Sequence, residues 1–202
     1  MAFFPFFIDI SDKKILIAGG GNVALRKAEK LLPFGADIAA VSPAFCEGFA
    51  ALEGVMLYCR RFADSDIDGA FAVIAATDNR ELNAHIYRLC SERNILVNTV
   101  DDPENCGFYF PALVRAGSVT AGISTGGTSP IFARYVREML TAALDEKTLA
   151  AGDILARYRP VIRQMFGTGE QRKNAAEKLL ERCVSGGGIP TDNEITELLE
   201  SL

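Results

Sequence analysis

The sequence predicts an α/β fold: a parallel sheet with its helices, then a small strand and helix region, then an all-helical tail. Three observations carry this. Near the start, Ile15-Leu16-Ile17-Ala18 is a short apolar run suited to a strand buried on both faces; Gly19, Gly20 and Gly21 follow, and Val23, Ala24, Ala28, Leu31 and Leu32 recur at helical spacing. Further short apolar runs punctuated by turn residues continue to about residue 100, as strands of an open sheet do. From Ala143 onwards, glycine turns alternate with helical spacing alone.

The first turn is the most informative stretch. Gly19-Gly20-Gly21-Asn22-Val23-Ala24 reads as G-x-G-x-x-A between strand and helix, the dinucleotide-binding pattern of a Rossmann-type sheet. Gly19 lets the chain turn sharply off the strand. A missing side chain at Gly21 lets a pyrophosphate approach the backbone, and small Ala24 lets helix and strand pack closely. The helix N-terminus then presents N–H groups and the positive end of its dipole. The competing reading is a structural glycine turn that binds nothing.

Composition narrows the function classes. The chain has 202 residues, 49% of them apolar, and a net charge of −5 with no long basic run. That argues against nucleic acid or an anionic membrane surface as the main partner. No apolar segment approaches the length of a membrane span. The apolar start, Met1 to Ile10, has no basic leader region or small-residue cleavage site and reads as a strand or strap over a core edge. Five cysteines (46, 59, 90, 106, 183) are scattered without a C-x-x-C pair, and His85 is the sole histidine. No metal site or disulfide framework is expected, and a reducing cytoplasm is.

After the first helix, Pro33-Phe34-Gly35 breaks the pattern, and Asp37 to Val41 reads as the second strand. NAD-preferring folds usually place an acidic residue where that strand ends. Here Ser42 and Pro43 stand there, and Asp37 lies at the wrong end. Ribose contacts then fall to Ser42 and to backbone near Pro43 and Ala44. No arginine follows for a 2′-phosphate, so NAD is the expected cofactor. Residues 45–52 suggest a short helix, Val55 to Cys59 a third strand and residues 71–76 a fourth. Thr77-Asp78-Asn79 can cap the next helix, and Thr77 and Asp78 belong at the cofactor cleft beyond the strand ends. Leu82, Ile86, Leu89 and Cys90 mark that helix's buried stripe; His85, one residue off it, reads as a packed or surface histidine.

Residues 95–100 form the fifth predicted strand, with Asn98 facing the cleft end and Asp101-Asp102-Pro103 after it. Carboxylates there suit general acid/base work, and read equally well as a turn signal. Residues 108–114 look like another strand, interrupted or placed at an edge by Pro111; Val119 to Ile123 is a further one. Ser124, Thr125, Gly126, Gly127, Thr128 and Ser129 precede Pro130, which suits the first residue of a helix with Ser129 as its cap. This is a second anion cradle, with Arg134 and Arg137 on the helix it opens, suited to substrate carboxylates; the plainer reading is a capped helix. In the tail, one helix holds Leu149 to Tyr158, a second is opened or kinked by Pro160, and a third holds Ala175 to Cys183. A link through Gly186 to Gly188 leads to a capping box at Thr191 and Glu194. Such tails often cover a cleft or build a dimer, so a homodimer is expected.

Four motifs in order, Gly19 to Ala28, Ala75 to Asp78, Asn98 to Asp101 and Ser124 to Pro130, together resemble the precorrin-2 dehydrogenase family, the siroheme synthase N-terminal module, over roughly residues 3 to 140. The resemblance implies oxidation of precorrin-2 to sirohydrochlorin with NAD; some members also insert ferrous iron. It places Gly21, Asn22 and Val23 on the pyrophosphate, Pro43 and Ala44 on the adenosine side, Thr77 in the cleft and Asp101 as the functional aspartate, here read as the proton acceptor. Thr125 falls where some members carry a serine. The expected organisation is an NAD-binding domain over residues 1–112, a dimerisation and substrate-cradle region over 113–145 and a helical domain over 146–202. The tetrapyrrole substrate carries many carboxylates while the protein is acidic, so local donors must attract it. The rival readings are a sirohydrochlorin ferrochelatase with Fe²⁺ as co-substrate, and a non-catalytic nucleotide sensor.

Overall fold

The computed structural model describes residues 4–202, which fall into two compact units: residues 6–109, and residues 110–202 with Phe4 and Pro5. In the first unit five strands, β1 (Lys14–Ala18), β2 (Asp37–Ser42), β3 (Val55–Cys59), β4 (Ala72–Ala75) and β5 (Leu96–Thr99), form one parallel sheet in the order β3-β2-β1-β4-β5. The fold class is the one expected. Strand order reverses between β1 and β4, where such sheets take ligands beyond the carboxyl ends.

Helix α1 (Asn22–Leu31) joins β1 to β2, and α2 (Arg80–Glu92) joins β4 to β5. Right-handed crossovers running to opposite sides of the sheet put the two helices on opposite faces. On one face Ile86 and Cys90 of α2 pack with Leu16, Ala18, Val73, Ala75 and Val97. Ile15, Ile17 and Ile74 alternate to the other face and are also buried, as are Ala24 and Ala28 of α1. Asn79 caps α2, its side chain accepting from Leu82 N at 3.0 Å.

Three expectations are corrected in this unit. The segment at 45–52 is a 3₁₀ helix (Glu47–Ala51), not an α-helix; it is long enough only to fold Phe49 into the core, edge-on to Phe45. Residues 108–110 are not a strand, because Asn98 Nδ2 donates to the Phe108 carbonyl at 2.9 Å and Pro111 offers no donor to a ladder. Residues 4–10 form neither strand nor strap: Phe4, Phe6, Phe7 and Ile8 are exposed, and Pro5 removes a donor. Met1 to Phe3 lie outside the described residues. His85 is on the surface, 2.8 Å from Asp64.

In the second unit β6 (Ala112–Ala116) and β7 (Val119–Ile123) form an antiparallel hairpin turned at Gly117, φ +54°. Helices α3 (Pro130–Ala143), α4 (Glu146–Met165), α5 (Gly169–Ser185) and α6 (Asp192–Glu200) follow. Asp145 caps α4, and capping boxes at Thr168/Gln171 and Thr191/Glu194 start α5 and α6. Ala151, Ile154 and Ile162 pack with Ala175, Leu179, Cys183, Ile195 and Leu199 in one apolar core. Pro160 neither opens nor ends a helix; α4 runs through it. An internal proline costs about 3 kcal/mol, and burying Ile154 and Ile162 on either side of it offsets that strain.

Candidate functional site

The three glycines after β1 do different jobs. Gly19 has φ +130°, and a Cβ there would lie 2.2 Å from the Ala76 carbonyl oxygen. At Gly20 a Cβ would meet the Ala44 carbonyl oxygen at 2.0 Å and Ser42 Oγ at 2.8 Å. The turn is therefore pressed between the ends of β4 and β2, with Gly19 N donating to Val41 O and Cys46 N to Gly20 O. Gly21 differs: its side faces open space, with nothing within 4 Å. It precedes α1, which has no side-chain cap and no acidic residue in its first turn. The other five α-helices each carry a capping side chain. Unmet N–H groups at Asn22 and Val23, an open approach at Gly21 and a positive dipole end fit a pyrophosphate.

Around this turn the strand ends assemble the remaining expected cofactor residues. Ser42 closes β2 and packs toward Gly20, with Pro43 and Ala44 exposed beyond it. Thr77 follows β4, and its hydroxyl donates to Asn83 Oδ1 at 2.6 Å and accepts from Asn79 N at 3.2 Å. Its main role is thus to hold the turn, leaving Asp78 exposed at the crest. Buried Asn83 was not foreseen: it also accepts from Thr77 N and donates to Thr77 O, bracing the turn from beneath. Its only sequence signal is a polar residue one position past the stripe residue Leu82.

Asn98 is buried in β5, and its amide nitrogen is turned inward to Phe108 O. Asp101 is exposed just past β5 at φ +58°, the left-handed region that a non-glycine residue rarely occupies. The loop that carries it is fastened by Cys106, whose sulfur accepts from Thr99 N at 3.2 Å and lies 3.3 Å from Asp102 O. Half-buried Lys27 of α1 comes within electrostatic reach of Asp101 and Cys106. Burial first, then Lys30, pushes its amine from 10.5 down to about 8, while Cys106 and Asp101 raise it. Sequence spacing marked neither Lys27 nor Cys106.

The strand register also changes the reading at the ribose end. Ser42 pairs with Cys59, so Arg60 and Arg61 begin directly beside the residues that follow β2. Sequence separation hides this neighbourhood. Arg60 is engaged, gripping Asp66 through two hydrogen bonds of 2.8 and 2.6 Å.

In the second unit Ser124 to Ser129 form one tight loop. Gly126 and Gly127 take φ +62° and +84°, and the side of Gly127 is open. Thr125 Oγ1 donates to Ser129 O at 3.1 Å, Thr128 Oγ1 donates to Thr125 O at 2.7 Å, and Ser129 Oγ accepts from Phe132 N at 3.1 Å. The threonine protons are spent within the loop, while Ser124 Oγ accepts from Gly126 N and keeps its own proton to donate. Arg134 and Arg137, exposed on α3, share Glu138 at 3.9 and 3.5 Å. Contacts that loose and exposed leave both guanidiniums able to take another carboxylate.

Comparison with known proteins agrees with this geometry. A family model described as putative NAD(P)-binding matches residues 6–112. The siroheme synthase of Thioalkalivibrio sulfidiphilus (strain HL-EbGR7) is 39% identical over 188 residues, 92% of this chain and 38% of that protein. That of Pseudoalteromonas translucida (strain TAC 125) is 33% identical over 187 residues, 91% and 40% respectively. The chain thus spans about two fifths of the length of these curated relatives. A solved structure described as SirC, precorrin-2 dehydrogenase, superposes with a TM-score of 0.77 at 20% identity, covering 98% of both chains, and shares the fold. The resemblance read from the four motifs is borne out. Matched over more than half its length, and with siroheme synthases as sequence relatives, this chain belongs to the putative NAD(P)-binding family.

Proposed function

We propose that the protein oxidises precorrin-2 to sirohydrochlorin with NAD. The observation that carries this is the glycine turn: two glycines closed in by protein and a third open at an uncapped helix start. Kinship with siroheme synthases supports the substrate class. Gly19, Gly21, Asn22 and Val23 hold the pyrophosphate. Ser42, Pro43 and Ala44 line the adenosine side, and Thr77, Asp78 and Asn98 shape the cleft at the ends of β4 and β5. When bound, NAD supplies the hydride acceptor. The macrocycle loses one hydride and one proton, and Asp101 takes the proton at its carboxylate. Ser124, Thr125, Gly126, Gly127, Thr128 and Ser129 form the cradle for the substrate's carboxylates, and Arg134 and Arg137 add charge-assisted bonds. Preference for NAD over NADP follows from the absence of a free guanidinium at Arg60, which Asp66 holds.

The same reading takes residues 1–112 as the cofactor domain, 113–145 as the cradle and dimerisation region and 146–202 as the helical domain. The working form is a homodimer in the cytoplasm, and among the described residues no helix is long and apolar enough to cross a membrane. The test is NADH absorbance on adding precorrin-2. Asp101→Asn should cut turnover by about 10²- to 10⁴-fold while NAD affinity holds. Tight NAD binding without NADH formation would favour the sensor reading. Iron insertion into sirohydrochlorin without NAD would favour a ferrochelatase with Fe²⁺ as co-substrate.

A further inference from the structure

Lys27 belongs to no motif that the proposed reaction uses, yet its placement is specific. It lies on α1 next to fully buried Ala28 and three residues past fully buried Ala24, so its stem runs along the inner flank of the helix. The groups that favour its charge, Asp101 and Cys106, both come from the loop after β5. That loop is fastened at both ends. Cys106 bonds back to Thr99, Asn98 pairs with Cys106 across a backbone bridge, and Gly107 N donates to Val97 O at 2.7 Å. Between these fastenings Asp101 is held left-handed at φ +58°. Such a backbone costs on the order of 1 kcal/mol or more and persists where its surroundings determine it. Beneath it, Thr99 Oγ1 is buried without a hydrogen-bond partner among the described residues, so the loop is shaped by something other than local polar satisfaction.

We propose that Lys27 is the positioning residue for Asp101: its ammonium, presented from α1, faces the carboxylate and fixes the direction in which it meets the substrate. This rests on the reading of Asp101 as proton acceptor. The other charged and titratable groups around the pair are Lys30 and Arg26 on α1, and Cys106 and Asp102 on the loop. Both like charges on α1 push Lys27 toward its neutral form, so the anchor weakens as pH passes about 8. Neutral Lys27 leaves Asp101 without its counter-charge, and the rate falls.

Two measurements on the full chain test this. In the first, the Lys27 side chain is followed through a pH titration by NMR. Asp101→Asn should move its midpoint further down, because a charge that raises it has gone; an unmoved midpoint overturns the pairing. In the second, the pH profile of kcat is compared among variants. Lys27→Met should lower kcat roughly tenfold or more with NAD affinity unchanged, the scale of a misplaced catalytic group. Lys27→Arg should restore most of kcat and carry the alkaline limb from near 8 to beyond 10, since a guanidinium does not deprotonate there. A loss confined to NAD affinity, or an alkaline limb that stays near 8 in Lys27→Arg, overturns the proposal. If the wild-type protein yields no NADH from precorrin-2, the functional reading falls, and the NMR titration still decides whether Lys27 and Asp101 form a pair.

Discussion

A methyl group separates two kinds of glycine in the first turn. Gly20→Ala would press a Cβ onto the Ala44 carbonyl oxygen, and the end of β2 must move to admit it. That variant should lose thermal stability as well as NAD binding. Gly21→Ala meets open space, and the residue's φ of −83° suits alanine. Its melting temperature should hold, while NAD affinity falls about tenfold, the 1.4 kcal/mol scale of one obstructed contact. Calorimetry beside NAD titration checks both, and equal melting losses would show that Gly21 serves packing instead. Lys27 carries a pH signature at the same scale. Its amine titrates at about 8 folded and near 10.5 unfolded. Below about 8 it is charged in both states and its burial costs stability. Between the two values the unfolded chain holds a proton that the native state has released, so stability rises with pH and the penalty fades. Lys27→Met should therefore raise the melting temperature at pH 7, with a gain that shrinks above pH 10.

Elements were legible where one local rule decided them. The strands β1, β2 and β4 announced themselves as apolar runs, and the caps at Asn79, Ser129 and Thr191 as small polar residues ahead of helical spacing. What stayed hidden depends on partners distant in sequence. Asn98 looked like a cleft residue from its strand end, and only the folded loop shows its amide turned to Phe108. Arg60 looked remote from the ribose end until the pairing of Ser42 with Cys59 set it alongside. Pro160 obeyed its own propensity on paper, yet α4 continues because apolar packing on both sides outweighs one lost hydrogen bond. Replacing it tests that balance. Pro160→Ala restores the missing donor and should stabilise the protein by about 1–3 kcal/mol, less any entropy the proline removed from the unfolded chain. Urea unfolding measures it, and a destabilised variant would show that the helix is built around the ring.

At the scale of the whole molecule, the second unit leaves apolar surface that its own core does not use. Ile131, Phe132, Tyr135 and Met139 are all more than half exposed on α3, with Phe132 and Tyr135 stacked at 6.3 Å. Their spacing of one, three and four residues puts them along one stripe of the helix. An isolated exposed side chain is ordinary, but a contiguous apolar stripe in an otherwise polar helical surface marks an interface. A second copy of the chain is the partner that suits the proposed homodimer, because a two-fold interface needs only one self-complementary patch. Arg134 and Arg137 interleave with that stripe, so an interface on α3 would also fix the arginines of the substrate cradle. Tyr135→Glu places a charge in the stripe and, paired with its own symmetry mate, a repulsion across it. Sedimentation should then shift from twice the chain mass to one, with the melting temperature becoming independent of concentration. Turnover should fall through a raised KM for precorrin-2 while NAD affinity holds, since the glycine turn lies in the other unit. A monomer with unaltered KM would separate dimerisation from the cradle, and an intact dimer would remove α3 from the interface.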